Sequence, residues 1–530
     1  RDRHRDPVCR CHHARSAGDL PGIFRDKTMI LKPSLEDVKI IGFYLGKIIL
    51  ALGASMALPL AVSLALGEYS PCADFAIGIE IALIAGLVLH RVCRTDMDLR
   101  WMHGMIVVSL SWIVAMFIAA VPLYLSGHWS SFFDTCFDTM SGFTTTGFVL
   151  VRDLDHISCG HNLWRHLIMF IGGQGMVIVA LSFFVKGVSG AFKMYVGEGR
   201  DEKILPNVIQ SSRFIWLVSI VYLVLGTAAL GIAGCCAGMR PFNAFFQGVC
   251  LFMAAFDTGG FAPHSQSIVY YHSLAFEVIT MIIMILGGGL NFRLHYHAWM
   301  GNRREVLKNI ETRAFFITVF ITFLITAAGL SGSNIYPHAM VMFRRGFYHL
   351  ISAHTTTGFQ TVYGQQFFTE WGDLAVVGLL LSMMLGGAAC STTGGIKVFR
   401  IGLIAQAFVQ DVKRILSPER AAVIQKFHHV REVFLDDKMV RSTLIITFAY
   451  LIFYGAGSLI GMLFGYPFLK SLFESTSAAA NIGLSSGIVS PAMPAVLKAT
   501  YIVQMWAGRL EFMSVLTLLG FFVAAIKGKR

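Results

Sequence analysis

TTTGF at Thr144 to Phe148 interrupts otherwise apolar sequence and returns unchanged at Thr355 to Phe359, with DTGGF at Asp257 to Phe261 and ANIGL at Ala480 to Leu484 as diverged copies. The glycines of these strips, Gly147, Gly260, Gly358 and Gly483, are 113, 98 and 125 residues apart. That spacing reads as four copies of one unit, and four copies can surround one axis.

Around the first strip, an apolar stretch (Trp101 to Leu125) leads into HWSSFFDTCFDTMSG, then the strip, a loop, and a second apolar stretch from Asn162. The piece before the strip, Phe132 to Ser141, makes a helix of only about 15 Å, too short for a hydrocarbon core of about 30 Å. It is expected to enter the membrane and turn back. Phe242 to Ala254, Val341 to Ala353 and Leu469 to Ala479 repeat the plan. Such segments persist at membrane depth only where protein buries them or water fills a cavity, because lipid satisfies no backbone groups.

The wider chain names the solvent. Of its 530 residues 55% are hydrophobic and 14% charged, with a mean hydropathy of +0.64, far more apolar than a soluble domain. Ten spans are predicted: Ile40 to Ala65, Ala73 to His90, Trp101 to Leu125, Leu163 to Phe184, Phe214 to Cys235, Leu274 to Gly289, Phe315 to Leu330, Leu374 to Ala389, Thr443 to Phe464 and Ala495 to Ile526. The expected fold is an all-α polytopic membrane protein. Four helix, re-entrant pore helix, filter and helix units (96–200, 201–300, 301–425, 426–530) surround one central pore, and two further N-terminal transmembrane helices lie in 29–95.

Stretches 91–100, 186–213, 291–313, 397–441 and 527–530 hold 25 Lys or Arg, against seven in the opposite loops. By the positive-inside rule the basic side and both termini are cytoplasmic and the strips open outward. The net charge of +12 is therefore a topology signal rather than a nucleic-acid footprint. Residues 1–28 lack the apolar core of a signal peptide, and Met29 directly precedes the first apolar stretch, so 1–28 are expected to be a disordered or untranslated leader. CRCHH within it (Cys9, Cys11, His12, His13) lacks a second ligand group at zinc-site spacing. The remaining cysteines read as small core residues.

After a half-helix the chain must return as an extended strip, and Gly takes the required angles without steric cost. Rings of strip carbonyls replace a cation's hydration shell, and inward-pointing helix C-termini carry partial negative charge that favours a cation beneath. Threonine hydroxyls before Gly147 and Gly358 can add oxygens. Together these parts describe a selectivity filter.

Over about Met29 to Arg530 the chain resembles the Trk/Ktr/HKT superfamily of potassium transporters, and its two extra N-terminal spans are similar to the TrkH-type member. The resemblance implies a K+ filter of Thr145, Thr146, Gly147, Thr258, Gly259, Gly260, Thr356, Thr357, Gly358, Asn481, Ile482 and Gly483. It also implies a gate in LSMMLGGAACSTTGGIKVFR, formed by Gly386, Gly387, Ser391, Thr392, Thr393, Gly394 and Gly395, because glycines and small polar residues break the third unit's second helix. Close packing through small residues is the other reading of that stretch. Lys397 beside it is expected to snorkel to the boundary. Arg509, mid-span in VQMWAGRLEFMSV, is expensive to bury and matches the family's pore-facing arginine; pairing with a gating-loop carbonyl is the alternative, and either role places it at the gate. Glu511, two residues on, faces another side of the helix.

A serine in the first glycine position is associated in this superfamily with sodium permeation, so Gly147 favours potassium. Asn481, Ile482 and Gly259 make the ring unequal, leaving most ligation to backbone carbonyls, and Arg509 follows Gly483 by only 26 positions, shorter than usual in the family. Asp134, Asp138, Asp257 and Glu474 read either as cation-concentrating groups at the outer mouth or as capping carboxylates. His354 reads as a packed histidine behind the filter rather than a pH sensor. GGQG (Gly172 to Gly175) and GGGLNF (Gly287 to Phe292) resemble phosphate loops but lack their βαβ context. The resemblance further implies a homodimer in the bacterial inner membrane, served by a cytoplasmic TrkA-type nucleotide-binding ring docked on the basic loops, 397–441 above all.

No catalytic constellation or organic-cofactor motif is read, so the chain is expected to be no enzyme. Its energy is expected from the membrane potential or an ion gradient, by K+/H+ or K+/Na+ symport, with an uncoupled K+/Na+ channel as the alternative. An inverted-repeat secondary carrier is disfavoured because all four units share one orientation.

Overall fold

The computed structural model describes residues 32–175, 194 and 208–528, except 98, 334, 337, 363–365 and 422. The leader, its CRCHH cluster and the second half of the predicted Leu163 to Phe184 span lie outside them.

The described chain is helical, with one small hairpin. Helix α1 (Leu35–Ser55) continues through Met56 into α2 (Ala57–Ala65), and α3 (Tyr69–Val92) returns beside it. Gly46 and Gly86 face each other between α1 and α3, where a Cβ on Gly46 would come within 2.9 Å of the Gly86 carbonyl oxygen. This is close approach through small residues, which substitutes for a hydrophobic driving force in lipid.

Unit one follows as α4 (Trp101–Leu125), α5 (Phe132–Phe143) and α6 (Cys159–Gln174). Unit two is α7 (Val208–Cys236), α8 (Pro241–Phe256), α9 (Leu274–Met284) and α10 (Phe292–Trp299). Unit three is α11 (Ile310–Ser333), α12 (Tyr348–His354), α13 (Asp373–Met384) and α14 (Val398–Leu416). A hairpin of β1 (Lys426–His429) and β2 (Arg431–Phe434) then leads to unit four, α15 (Asp437–Leu463), α16 (Phe468–Ala479), α17 (Ala495–Arg509) and α18 (Met513–Lys527).

The long helices are polarised inside out. On α11, Phe316, Phe320 and Leu324 are half or more exposed, the stripe a lipid-facing helix presents. Its opposite face buries Thr318, Thr322 and Thr326, of which Thr322 and Thr326 donate to the carbonyls of Thr318 and Thr322 at 2.8 and 2.9 Å. Four-residue spacing keeps each set on one side of the helix.

The short helices α5, α8 and α16 fall within two residues of the predicted re-entrant pieces. The third is shorter: α12 follows a π-helical turn, Phe343–Phe347, and a single turn at Ala339–Met342.

Two predicted spans differ. Leu374 to Ala389 stops being helix at Met384. Ala495 to Ile526 is two helices bent by 113°. Leu274 to Gly289 is helical to its predicted end, finishing in a π turn, and α10 then departs at 105°. Among the described residues six helices are long and apolar enough to span, or eight if each bent pair is one span, with Asp373–Met384 a shorter apolar helix and the predicted Leu163 to Phe184 span only half described. Hydropathy averages over a window and so passes straight across a corner made of apolar residues. The β-hairpin was not foreseen either; it turns at Val430, whose φ is +62°.

Candidate functional site

Each short helix ends in the same cap. The amide of the second strip residue reaches back five residues, Thr146 to Ser141, Gly259 to Ala254, Thr357 to Ser352 and Ile482 to Ser477, at 2.8 to 2.9 Å. The amide of the first strip residue reaches back three, at 3.0 to 3.3 Å. This pair of bonds is the Schellman motif, whose turning residue is left-handed. That residue is Thr145, Thr258, Thr356 or Asn481, with φ of +55°, +52°, +54° and +57°. The first turn of every strip is therefore made by a threonine or an asparagine, and the glycine makes the second, with φ of +91°, +72°, +86° and +85°. A β-branched residue in this region carries strain of about 1–3 kcal/mol, which persists only where surrounding structure over-determines it.

The strips close on one another. A Cβ added to Gly147 would collide with the Gly259 carbonyl oxygen, one on Gly260 with that of Thr357, one on Gly358 with that of Ile482, and one on Gly483 with that of Thr146. The contacts run from strip one to two, three, four and back to one. Four glycines and four carbonyls thus make a complete circle with no room for a side chain at any junction.

A vestibule of about 420 Å³ lies over the ring, lined by all four glycines together with Arg152, Asp153, Asp155 and His264. Hydrogen bonding from His156 holds the Asp153 carboxyl below its ordinary range. Burial pushes Asp155 up, but bonds from the Ser265 hydroxyl and amide and from His264 outweigh it, so this carboxyl also sits low. Both stay ionised at neutral pH and lend the mouth negative charge.

Asp134, Asp138, Asp257 and Glu474 are not mouth groups; all four are at least 98% buried. Asp138 accepts from the Leu150 amide at 2.6 Å and the Trp129 indole at 2.7 Å. Glu474 accepts from Ser485 Oγ, Ser486 N, Ser486 Oγ and Val489 N at 2.6, 2.6, 2.8 and 3.0 Å. Asp134 pairs with Lys498, and Asp257 accepts from Gln174 at 2.7 Å. Asp138 and Glu474 each precede their strip glycine by nine positions, and so does His349, which meets Thr361 at 3.2 Å. These three side chains staple the outgoing strip to its short helix. Leu251 holds the corresponding place in unit two.

Replacing Glu474 by Ala should strand four donors, of which the Ser486 amide and hydroxyl are buried, and lower stability by about 2–4 kcal/mol, read as a lower thermal unfolding midpoint in detergent. An unchanged midpoint would mean that other contacts hold strip four.

The second-position side chains turn sideways or back. Thr146 and Thr357 bond to Thr144 and Thr355 at 2.8 and 2.9 Å, and a side chain on Gly259 would meet Met169. The predicted extra oxygens from Thr146 and Thr357 are thus already engaged, Thr357 with Thr355 and Thr146 with both Thr144 and Asn481. Three first-position residues are engaged at their own level: Thr258 with Thr392 at 3.2 Å, Thr356 with the Gly394 amide at 3.0 Å, and Asn481 with Thr146 and the Met505 carbonyl at 3.1 and 2.9 Å. Thr145 Oγ1 is buried without a partner among the described residues. His354 packs behind the strip, 2.8 Å from Thr318.

Between α13 and α14 the chain leaves the helix from Leu385 to Lys397. One parallel bridge, Leu385 to Ile396, pinches the loop, with Gly386 N donating to the Ile396 carbonyl at 2.8 Å. Inside it, Ser391 meets Thr393 at 2.9 Å. Thr392 donates to the Phe256 carbonyl at 3.0 Å. A Cβ on Gly387 would strike the Gly288 carbonyl, and one on Gly394 the Ala480 carbonyl. The loop's contacts therefore fall on units two, three and four. Gly395 takes a φ of +65°. Lys397 does not snorkel: it is 7% exposed and bonds the Thr393 carbonyl and hydroxyl.

Arg509 is the last residue of α17, so it stands at a corner rather than in mid-helix. Its guanidinium donates to the Thr392 carbonyl, and to those of Gly172 and Gly173 at 3.0 and 3.1 Å, tying the loop to α6 across the axis. The corner repeats the strip cap, with Phe512 N to the Ala507 carbonyl at 3.1 Å and Glu511 N to the Gly508 carbonyl at 3.2 Å. Glu511 and Phe512 both have positive φ, +49° and +67°, and Glu511 pairs with Arg400 of α14.

The glycines of GGQG and GGGLNF serve close packing. A Cβ on Gly172, Gly287 or Gly508 would collide with the carbonyl of Phe143, Phe256 or Ala479, near the end of each short helix. Gly172 and Gly508 each follow their strip glycine by 25 positions, so the fourth unit keeps the register of the first.

A membrane-embedded circle of re-entrant strips above a loop and an arginine defines an ion-transport protein. The chain belongs to the TrkH family, described as cation transport proteins, which it matches over residues 73–523. It is 30% identical to an uncharacterized cation transporter of Methanocaldococcus jannaschii, covering 92% of this chain and 97% of that protein. It is 27% identical to the Trk system potassium uptake protein TrkG of Escherichia coli K12, over 92% and 98%. The crystal structure of the potassium transporter TrkH from Vibrio parahaemolyticus superposes with a TM-score of 0.76 at 25% identity, covering 91% of this chain and 98% of that one.

Proposed function

We propose that this chain takes up potassium across a bacterial inner membrane through the four-strip ring. The observation that carries this reading is the closed circle in which each strip's glycine abuts the next strip's second carbonyl, because a circle that admits no side chain leaves backbone oxygens as the ligands for a dehydrating cation. Potassium sheds water at 145–147, 258–260, 356–358 and 481–483, passes the loop Gly386 to Gly395, and is slowed there by the charge of Arg509. The strips open outward and the termini lie in the cytoplasm, following the distribution of Lys and Arg.

Driving energy comes from the membrane potential, about 2.3 kcal/mol per charge per 100 mV, with or without a co-ion. A homodimer with a TrkA-type regulatory subunit on the basic face accords with the relatives named for the Trk system.

Expressed in a bacterium lacking its own potassium uptake, the chain with its regulatory partner should restore growth at low potassium. Failure despite membrane expression counts against the reading. In proteoliposomes, potassium flux that persists with both proton and sodium gradients collapsed would favour an uncoupled conductor over a symporter.

A further inference from the structure

A cavity of about 490 Å³ lies on the face away from the vestibule, between the start of α14, the β-hairpin and the start of α15. Five cationic side chains line it, Arg293, Lys397, Arg400, Arg431 and Lys438, against only Asp436 and Glu511. Lys397 and Arg400 are 7% and 9% exposed. Glu511, 8% exposed and paired with Arg400, is the one buried carboxylate of the lining. Within the lining, five cations thus face two carboxylates, an excess of positive charge that suits an anionic ligand. Phe399 and Phe427 add apolar wall, and the volume suits a small ligand.

We propose that this cavity binds a phosphate-bearing anion, its oxygens meeting Arg400 and Lys397 at the floor and Arg431 and Lys438 at the rim. Ala389, Cys390 and Lys397 belong to the loop beneath the ring and also line the cavity. A phosphate on Arg400 competes with Glu511 and so bears on the corner that presents Arg509. This consequence for flux rests on the gate reading above; the binding does not.

Two sources share this chemistry, a soluble phosphate ester and an anionic lipid headgroup. The test uses full-length protein, with pyrophosphate in neutral detergent as one probe and nanodiscs of phosphatidylcholine with or without phosphatidylglycerol as the other, reading the thermal unfolding midpoint. The rim variant Arg431→Gln with Lys438→Gln is compared with Arg91→Gln with Arg94→Gln, two exposed arginines in the last turn of α3 and just beyond it.

A rise in midpoint with pyrophosphate, whose half-saturation moves by about tenfold or more in the rim variant and not in the other, assigns a soluble phosphate. A rise confined to phosphatidylglycerol discs and lost only in the rim variant assigns a headgroup. No rise with either probe, or equal rises in both variants, overturns the proposal. Because the readout is unfolding, loss of potassium uptake would count against the transport reading and leave this one standing.

Discussion

Gly358→Ala should cut potassium uptake by about 100-fold, equivalent to about 2.7 kcal/mol in the barrier, while the protein still reaches the membrane. The new methyl group would overlap the Ile482 carbonyl oxygen, and the φ of +86° suits an L side chain poorly. Neither atom can yield alone. Moving strip four displaces its own contact with Thr146, and so the disturbance travels around the circle. Potassium over sodium preference should fall together with rate, since the four strips no longer close on one another as they do in the parent. Gly332→Ala and Gly455→Ala supply the comparison: both glycines lie in long helices with open space where a Cβ would stand, and both variants should transport as the parent does. Tracer influx with competing sodium measures all three. Parental rate and selectivity in Gly358→Ala would remove the ring from the transport path.

Arg509→Gln should act in the opposite direction and raise flux. Like unit charges about 8 Å apart repel by about 0.5 kcal/mol in water and about 2 kcal/mol at an effective dielectric of about 20, so removing the guanidinium charge should speed transport by between about twofold and thirtyfold. Losing the bonds to Thr392, Gly172 and Gly173 should also free the loop. Arg509→Lys separates these causes. A parental rate in the lysine variant assigns the barrier to charge, and a rate like that of the glutamine variant assigns it to the three-carbonyl clamp. A fall in flux for Arg509→Gln, with normal expression, contradicts the proposed role.

Much of this site was legible in the chain. The strips, their phase, and the break in the third unit's second helix depend on local properties: helix length, apolarity and glycine content. What stayed hidden depended on contacts that only the folded backbone brings together. Asp138, His349 and Glu474 share a register position, yet as an acid, an imidazole and another acid they look unrelated until each is seen holding its own outgoing strip. Lys397 read as a boundary lysine because hydropathy contains nothing about Thr393 folding back toward it. The corner after Arg509 was invisible because the residues that make it, Leu510 to Phe512, include no glycine or proline. An ion pair with Arg400, 111 residues away, accompanies their left-handed turn.

The sequence alone determined that this chain lives in a membrane, in four similarly directed quarters, each with a half-helix and a polar turn, because bilayer thickness and backbone hydrogen bonding admit few other solutions for such a pattern. Only the tertiary structure decided which atoms face the ring. The first turn of each strip fell to a threonine or asparagine against local preference, and the threonine hydroxyls next to the glycines turned back to the threonines two residues earlier, because closing four strips into one circle left space at the junctions for backbone oxygens alone.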